Sequence, residues 1–348
     1  MSSPTRRVVV VDDSPIAREV LRDLLEAEGD ITVVGEAGDG ESADQVVAEK
    51  KPDLVTMDIA MPGIGGLAAI ERIMARCPTP ILVVTGLPIG VDGHLVFEAV
   101  NRGALDVAEK PGAEDESAAA HLRTQARRLA GLPVVRHIRG LRETPLAVVP
   151  ARGATLARRH CRIVGIAASA GGPAALVAVL SQLPKEFGVP IVLVQHLPFG
   201  FATTFSEFLS SNLSLGVVVV SSRTTLEAGK VFIATDGKHL VASSSDAVVS
   251  SDEPPLGGHR PSATVMFRSL ARVFGKDAAG VVLSGIGDDG AAGLVEMRQA
   301  GALTIGQDEK SCAVYGMPAA AKEANALEQV LPLNTIAAEL LAATPSRP

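Results

Sequence analysis

Two groups of residues in this chain can carry chemistry. The first comprises Asp12, Asp13, Asp58, Thr85 and Lys110. Carboxylates that close together repel one another. A hard divalent cation relieves that repulsion, and Mg²⁺ suits a few carboxylates, a phosphate and water. Lys110 supplies an ammonium that can pair with phosphoryl oxygens, and Thr85 a hydroxyl that can donate to them. The group reads as a phosphate switch built on carboxylates. The second comprises Ser169, His196 and Asp289. Ser169 stands between the apolar run Ile163–Ala168 and Gly171-Gly172-Pro173. Such a serine is held exposed at a strand-to-helix turn, where helix N–H groups favour a developing oxyanion. A glycine-rich helix start can also bind phosphate, so this turn alone leaves two readings open. A neutral His196 can take the serine proton and return it to a leaving group. Asp289 can hold the histidine tautomer. Asp288 is its rival, and Asp289, followed by glycine, is preferred.

Placing these groups is the task of alternating strands and helices. In the first half, strands are expected at 8–11, 31–34, 54–57, 81–84 and 105–108. Helices are expected at 15–28, 40–49, 66–76, 91–102 and 117–130. Five βα units imply a parallel sheet with helices on both faces. Ligands of such sheets gather beyond the carboxyl ends of the strands. The expected strands end at Asp12, Asp58, Thr85 and Lys110. A second α/β unit restarts with a strand at 162–167, and others follow at 191–194, 217–220, 280–283 and 302–305. Ser169, His196 and Asp289 each follow one of these strands. Asp236-Gly237, between apolar runs at 231–233 and 239–241, reads as a hairpin turn.

The expected organisation is therefore an α/β chain of two domains. A flavodoxin-like (βα)₅ unit occupies 5–130, a linker 131–159, and a doubly wound, mostly parallel catalytic unit 160–345. The 348 residues suit two domains. With 47 % apolar residues, one Tyr and no Trp, the core must come from Val, Leu, Ile and Ala. Charge marks the linker. Residues 1–112 carry 10 basic and 19 acidic groups, 113–160 carry 9 and 4, and 161–348 carry 13 and 16. The net charge of −7 argues against nucleic acid as the main partner. Three cysteines without a CxxC pair suit reduced thiols, and no run is long enough for a signal peptide or a membrane span, so a cytoplasmic protein without membrane insertion is expected.

Residues 5–112 resemble response-regulator receiver domains. Ser169-Ala170-Gly171-Gly172, Gln195-His196-Leu197-Pro198, His259-Arg260-Pro261-Ser262, Ser284 to Gly290 and Tyr315-Gly316-Met317-Pro318 resemble the CheB chemotaxis methylesterase family. The first resemblance implies that Asp58 accepts a phosphoryl group from a histidine kinase. It also implies that Asp12, Asp13 and Asp58 hold Mg²⁺, with Thr85 and Lys110 sensing the phosphoryl group. The second implies hydrolysis of glutamate methyl esters on chemoreceptors, often with deamidation of receptor glutamines, and needs no cofactor in the catalytic unit. It makes the main-chain N–H groups of Ala170 and Ile286 oxyanion donors, and leaves Arg260 to recognise acidic receptor side chains. In that family the receiver covers the catalytic face until phosphorylation relieves the block.

This chain departs from the family patterns at Gly65-Gly66, Val107, Thr264 and Ser284-Gly285-Ile286-Gly287. Val107 stands where receivers often carry an aromatic that rotates on phosphorylation. Two alternatives keep the motifs and change the role: the same chemistry in a chemosensory pathway unrelated to swimming, or a phosphorylation-controlled binding regulator without turnover.

Overall fold

Runs of β-branched residues, buried on both faces, make the strands of both halves. In Arg6–Val11 (β1) the four consecutive valines are at most 1 % exposed. The computed structural model describes residues 5–86, 93–112, 115–132, 134 and 160–344. Most of the expected linker, and the first residues of the helix expected at 91–102, lie outside them. The chain divides into two compact units, Met1–Glu143 and Thr144–Pro348.

In the first unit β1 leads into Pro15–Glu26 (α1). Ser14 caps this helix by accepting from Ala17 N, and Pro15 suits its first turn. There follow Ile31–Ala37 (β2), Gly40–Lys50 (α2), Leu54–Met57 (β3), Gly65–Arg76 (α3), Ile81–Thr85 (β4), Gly93–Asn101 (α4), Asp106–Glu109 (β5) and Glu116–Leu129 (α5). All strand pairs are parallel, in the order β2-β1-β3-β4-β5. The order reverses direction between β1 and β3, and a crevice opens beyond their carboxyl ends. Asp12, Asp13 and Asp58 stand there.

The second unit begins with Ile163–Ala168 (β6), Gly172–Leu180 (α6), Ile191–Gln195 (β7), Ala202–Asn212 (α7), Gly216–Val220 (β8), Thr224–Thr225 (β9), Lys230–Ala234 (β10), His239–Ser244 (β11) and Ala247–Ser251 (β12). It continues with Ala263–Phe274 (α8), Ala278–Val282 (β13), Ala291–Gln299 (α9), Leu303–Gln307 (β14), Met317–Glu323 (α10), Gln329–Leu331 (β15) and Leu333–Ala343 (α11). Seven strands form one parallel sheet, β15-β14-β13-β6-β7-β10-β8. The central strands β13, β6 and β7 point their carboxyl ends at one edge. Phe232, Phe267, Leu270 and Met266 pack the core between this sheet and α8.

The hairpin expected at Asp236-Gly237 does not form. The middle of β10 is buried on both sides and pairs with β7 and β8, so both its edges are used. Asp236 instead accepts from the N–H groups of Gly200 and Ala202, at the start of α7. β11 pairs antiparallel with β12 in a separate three-stranded sheet with β9. That sheet is tied to α8 where Ala242 N donates to Ser269 Oγ.

Candidate active site

Ser169 leaves β6 at a turn in which three groups fix its backbone. Its N–H donates to Ser284 O (3.0 Å), and its carbonyl accepts from Gly172 N (2.7 Å). The Gln195 amide donates to that same carbonyl and to His196 O, both at 2.9 Å. His196 N donates to Ala168 O (3.1 Å). Gln195 thus ties the serine turn to the end of β7. Beneath the turn, Ser284 Oγ donates to Ala170 O (2.8 Å) and accepts from Val314 N (2.9 Å). The loop after β13 comes so close that a Cβ on Gly285 would lie 2.9 Å from Ser169 Cβ and 2.3 Å from Met317 Sδ. Only glycine allows that approach. The Ala170 and Ile286 N–H groups donate to no protein acceptor among the described residues.

Asp289 meets His196, while Asp288 is exposed. His196 Nε2 lies 2.9 Å from Asp289 Oδ2. The same oxygen accepts from Ala263 N (2.7 Å). Oδ1 accepts from Ser262 Oγ (2.8 Å) and Thr264 N (2.9 Å). The carboxylate therefore sits on the amino terminus of α8, where free N–H groups and the helix dipole favour a negative charge. Burial alone would raise its pKa. The hydrogen bond and charge of His196, with the Thr264 and Ala263 N–H groups, outweigh burial and hold it well below the usual carboxylate range.

An ionised Asp289 can only accept, so Nε2 of a neutral His196 must carry the proton. The lone pair then lies on Nδ1, which is buried and without a hydrogen-bond partner. Ser169 Oγ is not hydrogen-bonded to His196 here, which leaves Nδ1 open; such contacts commonly tighten only when substrate is bound. Thr264 also accepts from Gly290 N through its hydroxyl (2.8 Å), closing the loop that carries Asp289. Arg260 is exposed, with Nη1 3.4 Å from Glu253 O. It lines a shallow cavity with Gln195, Phe199, Asp236 and Pro261, and Phe199 is 79 % exposed.

In the first unit Lys110 Nζ lies 2.6 Å from Asp12 Oδ2 and 2.8 Å from Asp58 Oδ2. The contact to Asp58 is a hydrogen bond. That to Asp12 is an ion pair at hydrogen-bonding distance, so one ammonium bridges both carboxylates. Burial works against the Lys110 charge, but Asp12 and Asp58 outweigh it and raise its pKa. One ligand oxygen from each of Asp12, Asp13 and Asp58 falls within 4.8 Å of the others. Three hard carboxylate oxygens gathered this closely, with one ammonium to offset their charge, fit a divalent cation. Thr85 is buried at the end of β4, and Val107, 4 % exposed, pairs with Val83 inside the sheet.

Residues 164–340 match the CheB methylesterase family model, and residues 8–121 the response regulator receiver domain. The chain belongs to the CheB methylesterase family. It is a methylesterase with a receiver domain ahead of its catalytic domain. It is 43 % identical, over 95 % of its length and 94 % of the relative's, to "Protein-glutamate methylesterase/protein-glutamine glutaminase 2" of Anaeromyxobacter dehalogenans. A Rhizobium etli protein named protein-glutamate methylesterase/protein-glutamine glutaminase is 39 % identical over 100 % of this chain and 99 % of its own. The crystal structure of the Thermotoga maritima CheB methylesterase catalytic domain aligns with a TM-score of 0.50 at 30 % identity, covering 52 % of this chain and 97 % of that one. Among the described residues no helix is long and apolar enough to cross a membrane.

The sequence motifs marked Ser169, His196, Asp289 and the acidic group. They assigned no individual part to Gln195, Ser262 or Ser284. Ser262 had a local signal, as a serine directly before an apolar helical run. Gln195 and Ser284 had none, because their partners lie 26 and 114 residues away in the chain.

Proposed function

We propose that this chain is a phosphorylation-controlled protein-glutamate methylesterase. It would hydrolyse glutamate methyl esters on chemoreceptors and deamidate receptor glutamines by a Ser169-His196-Asp289 triad. The observation that carries the reading is the open Nδ1 of a histidine whose Nε2 is held by an ionised carboxylate. Ser169 Oγ attacks the ester carbonyl as its proton passes to His196 Nδ1. The oxyanion accepts from Ala170 and Ile286 N–H. His196 returns the proton to the departing methoxide, and methanol leaves an acyl-serine. Water repeats the cycle and frees the carboxylate. With a glutamine amide, ammonia leaves in place of methanol.

The switch rests on the first unit. Asp58 is the phosphoacceptor, a histidine kinase the donor, and Lys110 and Thr85 the groups that meet the phosphoryl oxygens. Asp12, Asp13 and Asp58 would hold Mg²⁺, which when bound offsets the charge of the incoming phosphoryl group. Arg260, at the cavity beside Gln195, would meet acidic side chains flanking the substrate residue. The protein would act in the cytoplasm, as a domain joined to its switch by the linker at 131–159.

The test is methanol release from methylated receptor by wild type and Ser169→Ala, each with and without an acyl phosphate donor. Loss of about 10⁴-fold or more in kcat on Ser169→Ala is expected. Equal rates would remove the serine from the reaction.

A further inference from the structure

His196 does not stand alone against Asp289. The ring of His259 lies on its face, with centroids 4.1 Å apart and an interplanar angle of 4°. A hydrogen bond at Nε2 fixes one point of the His196 ring. It leaves the plane free to swing, because the outer torsion of a histidine is broad and roughly two-fold. A flat neighbour in stacking contact removes that freedom.

His259 is itself delivered with precision. Leu256 and His259 exchange main-chain hydrogen bonds of 3.2 and 3.0 Å across Gly257-Gly258. Both glycines have positive φ, +60° and +83°, as a two-residue hairpin turn of this kind requires. The feet of the loop are tied by another histidine. His239 is fully buried in β11, with Nε2 3.1 Å from Pro254 O and Nδ1 accepting from Ser262 N at 3.1 Å. One neutral imidazole, protonated on Nε2, satisfies both. Segment 254–262 is thus pinned at each end, with His259 near its tip and the Asp289-binding Ser262 at its foot.

We propose that His259 is a positioning residue for the general base, which holds the His196 ring in the plane that aims Nδ1 at Ser169. The proposal rests on the triad reading above. It also gives His259 a part in the chemistry that ground-state order alone would not. His196 becomes a cation when it takes the serine proton, and an aromatic face within about 6 Å of a cation stabilises it. A ring that stacks without any exchangeable proton should therefore suffice.

The experiment uses the full chain and two readouts, methanol release from methylated receptor and the rate at which a fluorophosphonate labels the serine. His259→Leu fills the space without a flat face. It should lower kcat and the labelling rate together by about 10- to 100-fold, the range for a displaced catalytic group, with KM within about threefold. His259→Phe should recover most of both. Melting curves report whether each variant is folded, and the Leu–Phe comparison holds even if His259→Ala does not fold. Equal rates for the Leu and Phe variants, or a loss confined to KM, would overturn the proposal. Labelling that persists in Ser169→Ala would instead overturn the triad and leave the stack without a catalytic partner, so the two failures are distinguishable.

Discussion

Asp58 and Asp289 are buried almost equally, at 7 % and 8 % exposure, and both lie beyond the carboxyl ends of buried parallel strands. Their surroundings nevertheless equip them for opposite tasks. A carboxylate offers about four lone-pair positions. Asp289 fills four of them, with Ser262 Oγ and Thr264 N on Oδ1, and Ala263 N and His196 Nε2 on Oδ2. Asp58 has one donor on each oxygen, Ala60 N at 3.2 Å and Lys110 Nζ at 2.8 Å. Beside it lie Asp12 and Asp13, which add negative charge rather than donors. A saturated carboxylate is a fixed charge that can orient a histidine. A carboxylate with open lone pairs, near acids that recruit a cation, can still act as a nucleophile. Under the proposed function, occupancy rather than burial would separate the anchor from the acceptor.

Asp289→Asn breaks this comparison most severely. The amide keeps the size of the side chain but presents donors where His196 Nε2–H and the α8 N–H groups also donate. His196 would have to move its proton to Nδ1, which removes the base. A fall of about 10⁴-fold in kcat is expected, with little change in KM. Steady-state methanol release, with melting curves to confirm folding, measures it. A loss under tenfold would mean that Asp289 anchors the helix without setting the tautomer.

Much of this contrast was legible in the sequence, because strand ends are local. A run such as Val8 to Val11 followed by Asp12 announces both a buried strand and the group it delivers. Ser169, His196 and Asp289 could be read in the same way. What could not be read depends on chain segments meeting. Asp236-Gly237 carries a hairpin signal, yet the same short acidic side chain serves as well to hold the start of a helix, and the free edges of β7 and β8 decided where β10 went. The stacking of His259 on His196 joins residues 63 positions apart, and neither ring has a sequence signature for it. Thr264 replaces the acid that the family pattern carries, and only the fold shows its hydroxyl accepting from Gly290 N.

The open carboxylate is tested by Asp58→Asn. Its amide oxygen can still meet Lys110, so the fold should be nearly unperturbed, but an amide cannot be phosphorylated at that oxygen. Stimulation of methanol release by an acyl phosphate should vanish while unstimulated turnover persists. Mg²⁺ binding by the full chain, followed by calorimetry, should weaken as one of three carboxylates is lost. Retained stimulation would place the phosphoacceptor elsewhere.

The smallest expected effect comes from removing one of the four donors to Asp289. Ser262→Ala deletes the hydroxyl that binds Oδ1 and that also accepts from Val265 N as the cap of α8. Loss of such a cap costs about 1 kcal/mol. Its pH dependence carries the sharper information. The folded pKa of Asp289 is depressed below the ordinary 3.8, so its contribution to stability is fully present above that value and is lost as pH falls toward the folded pKa. In Ser262→Ala the carboxylate keeps three donors and its depression shrinks, so less stability remains to be lost on acidification. The gap in melting temperature between wild type and variant should be widest at neutral pH and should narrow as pH drops below about 4, the ordinary carboxylate value. A gap that stays constant down to pH 2 would show that the hydroxyl acts only as a helix cap, and that three donors hold the charge as firmly as four.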